Sequence, residues 1–376
     1  MVVLVLLAAG RAQAQAGDGF VFEPLVSGKA LPGTQPDNHS STLVELKNGD
    51  VLLAWFGGTK EGAPDVAIYA AQLHAGVWSA PREVARTKDV ACWNPVLFHD
   101  AKGVLWLYYK TGKKPATWTG LRKHSEDEGK TWSAAEALPE GVLGPLKDKP
   151  LVLSDGAIVS GSSVEANSAS ENLKWTAWIE RSADNGKSWT KAGPITVPVA
   201  ADVPDAGALA AAKEGKHADR DEAAKVTTKV TPPADHLVGL IQPAVVSRGG
   251  HHLRFYARSR GRAQRIAIAD SMDDGRTWSE ARYIDLPNPN SGIDAVGLKD
   301  GRIVVVFNNS YNRRSPLNLA VSKDGEHFTV FSKLDEGPGQ YSYPAIVQAA
   351  NGDLLVCYSW RRQTIKFARI PKAQIP

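Results

Sequence analysis

Gln242-Pro-Ala-Val-Val246-Ser-Arg-Gly249-Gly250-His-His252-Leu-Arg-Phe-Tyr256-Ala-Arg258-Ser-Arg260 opens the stretch that decides the fold, and Ser271-Met-Asp-Asp-Gly-Arg-Thr-Trp278 closes it. An apolar run from Pro243 to Val246 turns at the two glycines and returns through His252 to Tyr256. Glycine accepts positive φ at such a turn, and the β-branched and aromatic residues on both sides favour a hairpin. A third strand-like segment, Ile266 to Ile268, follows. The closing octet has the form Ser-x-Asp-x-Gly-x-Thr-Trp. Its short polar side chains can hydrogen-bond turn backbone, its Gly takes a left-handed position, and its Trp is a packing plug.

The hairpin recurs six times, with turn glycines at Gly49, Gly103, Gly156, Gly250, Gly301 and Gly352. Their separations are 54, 53, 94, 51 and 51 residues, read directly from the numbering. A period near 50 with several strands per repeat indicates a β-propeller. The octet recurs at Ser125 to Trp132 and Ser182 to Trp189, and in shortened form at Ser322 to Phe328. The expectation is all-β: one six-bladed propeller of four-stranded antiparallel blades over residues 17–376, its first and last segments sharing a blade.

The 94-residue gap carries a surface insertion at about 197–235, rich in Ala, Lys, Asp and Glu. Long loops of this kind also serve as lids. Residues 1–16, with an apolar run and then Ala12-Gln-Ala-Gln-Ala16, resemble a signal peptide without its basic start, so export to the periplasm or medium is expected. No apolar stretch is long enough to span a bilayer. With 44 basic and 40 acidic residues, net charge +4, the balance is too even for nucleic acid. Cys92 and Cys357 read as buried free thiols, and two cysteines make no metal site. No cofactor is expected, and the chain is expected to act as a monomer on a glycan or small acidic sugar.

A hairpin's entrance and exit lie at one end and its turn at the other. In a ring of hairpins, the residues flanking each one should therefore crowd a single mouth of the channel. The turn ends carry simple Asn-Gly, Asp-Gly and Lys-Gly pairs. The opposite ends carry His39, Glu61, Asp65, Asn94, Lys110, Lys149, Glu165, Gln242, Arg258, Asp294, Arg314, Tyr341, Tyr343, Trp360 and Arg362. Taken singly, Arg258 or Arg314 reads as a surface ion-pair partner, and a lone His at a strand start as a packed core residue. Taken together they suit an anionic sugar, because guanidinium groups bind carboxylates bidentately and aromatic faces stack on pyranoses. The carboxylates and the histidine are acid–base groups.

The repeats and octets resemble the sialidase-like superfamily of Asp-box (BNR-repeat) propellers over nearly all of residues 36–370. Trp55-Phe-Gly-Gly-Thr59 with Glu61 and Asp65, Cys92-Trp-Asn-Pro95, Pro287-Asn-Pro-Asn-Ser-Gly292 and Tyr341-Ser-Tyr-Pro344 are similar to a bacterial exo-α-sialidase-like subfamily. The resemblance implies release of a terminal acidic sugar, with an arginine triad for its carboxylate, an Asp acid/base and a Tyr nucleophile activated by Glu. It assigns Arg258 and Arg314 to the triad, Asp65 to the acid/base and Tyr341 to the nucleophile. Arg362, Lys110, Lys149, Asn94, Gln242, Asp294, Tyr343 and Trp360 are then substrate-binding candidates.

Two positions depart from the family. His39-Ser-Ser stands where the first arginine's Arg-Ile-Pro motif belongs, and Gln242 stands in place of the activating Glu. Gln cannot take a proton from Tyr, which leaves Glu61, Glu165 or His39 as base. A rival reading makes His39 the centre of a hydrolase or lyase acting on rhamnose–glucuronate linkages, as in some related propellers. A third is a carbohydrate-binding propeller without catalysis.

Overall fold

The computed structural model describes residues 21–24, 35–165, 175–198, 239–261 and 263–376. The expected signal segment lies outside them, as does the expected insertion from residue 199 onward. Among the described residues the chain forms six antiparallel sheets arranged as the blades of a propeller, and almost no helix.

Each blade begins with the hairpin read in the sequence. Blade 1 starts with Asp37–Glu45 and Val51–Gly58, blade 2 with Cys92–His99 and Leu105–Thr111, and blade 3 with Leu151–Val152 and Ile158–Glu165. Blade 4 starts with Gly239–Gly249 and His252–Arg260, blade 5 with Asp294–Gly297 and Ile303–Asn308, and blade 6 with Tyr341–Gln348 and Leu354–Trp360. Blade 1 differs at its outer edge, where Val77–Trp78 and Arg82–Ala85 both pair with Ala67–His74.

The ring is closed by the chain's beginning. Val21–Pro24 pairs with Thr364–Ile370 and so supplies the outer strand of blade 6. On the inner side the Asn38 amide donates to the Arg362 carbonyl at 2.7 Å, joining blade 1 to blade 6. These contacts remove the free edge that an open sheet would present.

The core consists of six hydrophobic clusters, each shared by two adjacent blades. Each octet, in blades 2 to 5, links its blade to the one before it. In blade 4, Ser271 Oγ donates to Asp273 at 2.8 Å, and Asp273 accepts from the Thr277 amide and hydroxyl at 2.8 and 2.6 Å. A Cβ on Gly275 would lie 2.8 Å from Val159 of blade 3, so only glycine permits that approach. Trp132, Trp189, Trp278 and Phe328 each pack against the cluster shared with the preceding blade. In the shortened copy, His327 replaces Thr as the partner of Asp324, at 2.7 Å. Cys92 and Cys357 are buried and free, in the clusters on either side of blade 1.

Candidate functional site

Four inner strands share one device at the channel mouth. Register shifts occur between His39 and Thr42, Trp93 and Val96, Ile241 and Ala244, and Ser342 and Ala345. At each shift one residue takes a left-handed conformation: Ser40 (φ 54°), Asn94 (φ 32°), Gln242 (φ 56°) and Tyr343 (φ 51°). A bulge adds one residue to one strand and re-aims its side chain. The next residue is Pro at three of the four, which a bulge tolerates because the missing N–H breaks no ladder bond. Positive φ in non-glycine residues costs free energy and clusters at functional sites.

The bulges bring Gln242 of blade 4 against Tyr343 of blade 6, with Gln242 Nε2 donating to the Tyr343 hydroxyl at 3.4 Å. Arg258, buried on the return strand of blade 4, donates to the same hydroxyl at 3.1 Å and to Gln242 Oε1 at 3.4 Å. Its Nε donates to Asn290 Oδ1 at 2.9 Å. Arg314, half-buried in blade 5, donates to Gln340 Oε1 and to the Asn290 carbonyl, both at 3.2 Å. Every one of these acceptors is neutral. Burial, and then the neighbouring Arg258, push the Arg314 guanidinium down to about 10, still cationic at neutral pH.

Arg362 of blade 6 is held differently. It pairs with Asp37 at 2.8 and 3.0 Å and with Glu61 at 2.6 Å, and those two carboxylates help to raise its pKa. His39 is fully buried and lies 4.3 Å, centre to centre, from the Tyr343 ring, with Phe56 at its other side. Its Nδ1 is buried without a hydrogen-bond partner among the described residues. Burial, reinforced by Arg362, Arg314, Arg258 and Lys147, pushes the imidazole well below its ordinary value, so it is neutral at pH 7. Three guanidiniums thus act on one imidazole.

Glu165 joins the cluster through Gln242, accepting from Gln242 Nε2 at 3.4 Å and from Ser163 Oγ at 3.0 Å. Burial pushes its carboxyl up, against the pull of Arg258. Asn94 is buried at its bulge, and Trp360 carries the Arg361 and Lys366 cations on its ring at 4.4 and 5.0 Å.

Several expected site residues are engaged elsewhere. The Tyr341 hydroxyl donates to the Glu336 carbonyl at 3.1 Å, in the loop after the outer strand of blade 5, and accepts from Arg361 at 3.4 Å, and its ring belongs to the blade 5–6 core. The tyrosine in the cluster is Tyr343, because the bulge turns it and not Tyr341 towards blade 4. Lys110 is wholly buried and donates to the Pro145 and Leu146 carbonyls, and burial pushes it down to about 7. It ties down the loop entering blade 3. Lys149 and Asp294 pair with each other at 2.9 Å, and Asp294 also accepts from the Ile346 amide at 2.8 Å. Asp65 accepts from the Thr59 amide and hydroxyl at 2.9 Å, and no contact joins it to Arg258 or Tyr343.

Sequence reading passed over Lys147 and Asp148. Lys147 of blade 3 crosses the channel to donate to the Ile293 and Pro344 carbonyls of blades 5 and 6, and it pairs with Asp148 at 2.6 Å. Pro344 follows Tyr343, so this ammonium holds the bulge that aims the phenol. Burial pushes the Asp148 carboxyl up, and its Oδ2 has no partner among the described residues. Their place just before the third hairpin was the available signal. Asn290 lies within the Pro287–Gly292 motif, and Gln340 directly precedes Tyr341.

A family model for the BNR repeat-like domain matches residues 49–356. No curated protein sequence matches the chain. Three solved structures superimpose on it closely. The Hadza microbial sialidase Hz136 does so with TM-score 0.68 and 16% identity, over 94% of this chain and 69% of that one. The NanB sialidase of Streptococcus pneumoniae gives 0.66 and 14%, over 94% and 71%. A protein of unknown function from Dyadobacter fermentans gives 0.66 and 16%, over 90% and 96%. Identities this low show a shared fold. The family match spans most of the ring, and the chain belongs to the BNR repeat-like domain family, on a sialidase-like six-bladed propeller.

Proposed function

We propose that this protein is a glycosidase-type enzyme that releases a terminal acidic sugar, sialic acid or a related sugar, holding the sugar's carboxylate on Arg258, Arg314 and Arg362. One observation carries the reading. Arg258 and Arg314 hydrogen-bond only to neutral acceptors among the described residues. A buried cation without a counter-ion is costly, and a bound carboxylate supplies the missing charge through charge-assisted hydrogen bonds.

The chemistry then centres on Tyr343. Its oxygen faces one guanidinium and one amide donor, which stabilise developing negative charge. A phenol needs a base to react near pH 7. Neutral His39 lies against the ring, and Glu165 lies one hydrogen bond beyond Gln242. In the retaining reaction Tyr343 attacks the anomeric carbon, the leaving oxygen takes a proton from an acid, and water later frees the sugar. Asp65 serves as that acid once its Thr59 bonds open. Action as an exported monomer belongs to the same reading.

A second reading is favoured by the orphaned Nδ1 of His39 and by Gln242: His39 moves the proton directly, by hydrolysis or elimination at a uronate, and Tyr343 only positions the sugar. A glycan panel assayed for released sugar and for unsaturated product separates the two. Arg258→Gln and Arg314→Gln should each weaken binding of acidic sugars on the order of 100-fold. Cleavage restricted to neutral glycosides would sink both readings, and binding without turnover would leave a carbohydrate-binding propeller.

A further inference from the structure

Arg260 lies two residues beyond Arg258 on the same strand and opposite Gly239 in the ladder, at the mouth end of blade 4. Its guanidinium carbon stands 4.9 Å from the centre of the Trp175 ring, and that of Arg258 stands 5.1 Å from the same ring. Among the described residues no hydrogen bond or ion pair joins Arg260 to a carboxylate. Burial and the like charge of Arg258 both act to lower its pKa. Trp175 is itself a seated residue. It pairs with Glu165 across the blade 3 ladder, and a Cβ on Gly239 would lie 2.5 Å from the Trp175 Cβ. The close approach of blade 4 to the indole therefore requires glycine at that position.

A carboxylate is the usual device for orienting an arginine, and it consumes the arginine's charge. A neutral π face orients a guanidinium by cation–π attraction while leaving its N–H groups open. Trp175 does this for two arginines at once. Two like charges on one ring repel each other in the empty protein, and an anion placed between or beside them removes that repulsion.

We propose that Arg260, held by Trp175, forms a second anion-binding subsite contiguous with Arg258. Its ligand is the acidic group of the sugar next to the terminal one, so the substrate class is an oligosaccharide with acidic groups on two adjacent residues. This rests on reading Arg258 and Arg314 as the anchor for the first acidic sugar. Trp175 is a positioning residue, and Arg260 determines specificity.

Calorimetric binding to the full chain tests it with two matched pairs of ligands: lactose bearing one sialic acid or two linked in sequence, and one uronic acid or two linked in sequence. For whichever pair binds, the di-acidic member should bind about tenfold more tightly, the weight of roughly one charge-assisted hydrogen bond. Arg260→Gln should erase that preference and leave the mono-acidic Kd within about twofold of wild type. Arg260→Lys, which keeps the charge and loses the planar fork, should fall between them. Equal binding of both members by the wild type, still weakened by Arg258→Gln, overturns the second subsite and spares the first. A preference that survives Arg260→Gln overturns it too. Binding of neither pair overturns the first anchor and the subsite with it.

Discussion

The Arg258 guanidinium donates to the Tyr343 hydroxyl at 3.1 Å, and this contact, with that of Gln242 Nε2 to the same oxygen, joins blade 4 to blade 6 across the mouth of the channel. Residues 85 apart in sequence meet there because both lie at the entrance–exit ends of their hairpins. Arg314 also interacts electrostatically with this phenol, whereas the ring of Tyr341, two residues earlier, packs in the core between blades 5 and 6.

The two tyrosines should separate cleanly on mutation. Tyr341→Phe removes hydrogen bonds to the Glu336 and Pro338 carbonyls and from Arg361, and should cost about 1 kcal/mol of stability, with turnover retained. Tyr343→Phe should leave the unfolding midpoint nearly unchanged and abolish any covalent glycosyl-enzyme. Loss of activity in the Tyr341 variant at normal stability would reverse this assignment.

His39 imposes a definite pH dependence on stability. Its folded pKa lies well below 6.5, so below about pH 6.5 the unfolded chain binds a proton that the native state does not. That contribution to stability is present above 6.5 and is lost progressively as the pH falls. Glu165 and Asp148, whose folded values are raised, act in the opposite direction over the acid range. The difference between wild type and His39→Gln isolates the histidine: that difference should rise with pH between about 5 and 6.5 and then flatten. A flat difference curve, or an NMR titration of His39 with a midpoint near 6.5, contradicts the buried neutral imidazole.

Lys147 should prove a keystone of the channel. Lys147→Met leaves the Ile293 and Pro344 carbonyls without their donor and Asp148 as an unpaired buried carboxylate. Breaking one side of a buried pair typically costs roughly 3–5 kcal/mol. The double variant Lys147→Met with Asp148→Asn should recover part of that loss in denaturant titrations. Additive losses in the double variant would show that the two side chains act independently.

The octets are scaffold, and their loss should be read in stability rather than chemistry. Trp278 is half-buried against the blade 3–4 cluster, so Trp278→Ala should cost roughly 3 kcal/mol, the low end for a large aromatic ring. Burial opposes ionisation of Asp273, but bonds from Thr277, Ser271 and Arg276 outweigh it and hold the carboxyl down to about 2, so it contributes stability above about pH 4 that disappears as the pH falls through 2. Ligand affinity at the mouth, measured well below the melting temperature, should not change in the Trp278 variant.

Repetition made the ring legible in the amino-acid sequence. Recurring turn glycines and apolar runs specify hairpins locally, and six such hairpins bury their faces against each other. Chain direction within a hairpin then puts Arg258, Arg314, Arg362, His39, Gln242 and Tyr343 at one end without further information. Which of them touch was decided by tertiary structure. A bulge breaks the two-residue alternation that sequence reading relies on, so the choice between Tyr341 and Tyr343 turns on a single inserted residue and a positive φ. The partners of a charge also come from other blades: Lys147 finds its acceptors 146 and 197 residues away, and Lys110 spends its charge on the backbone of the next blade. Local pattern marks a residue as polar and near the mouth, but only the packed ring determines whether its charge is already satisfied or free to meet a ligand.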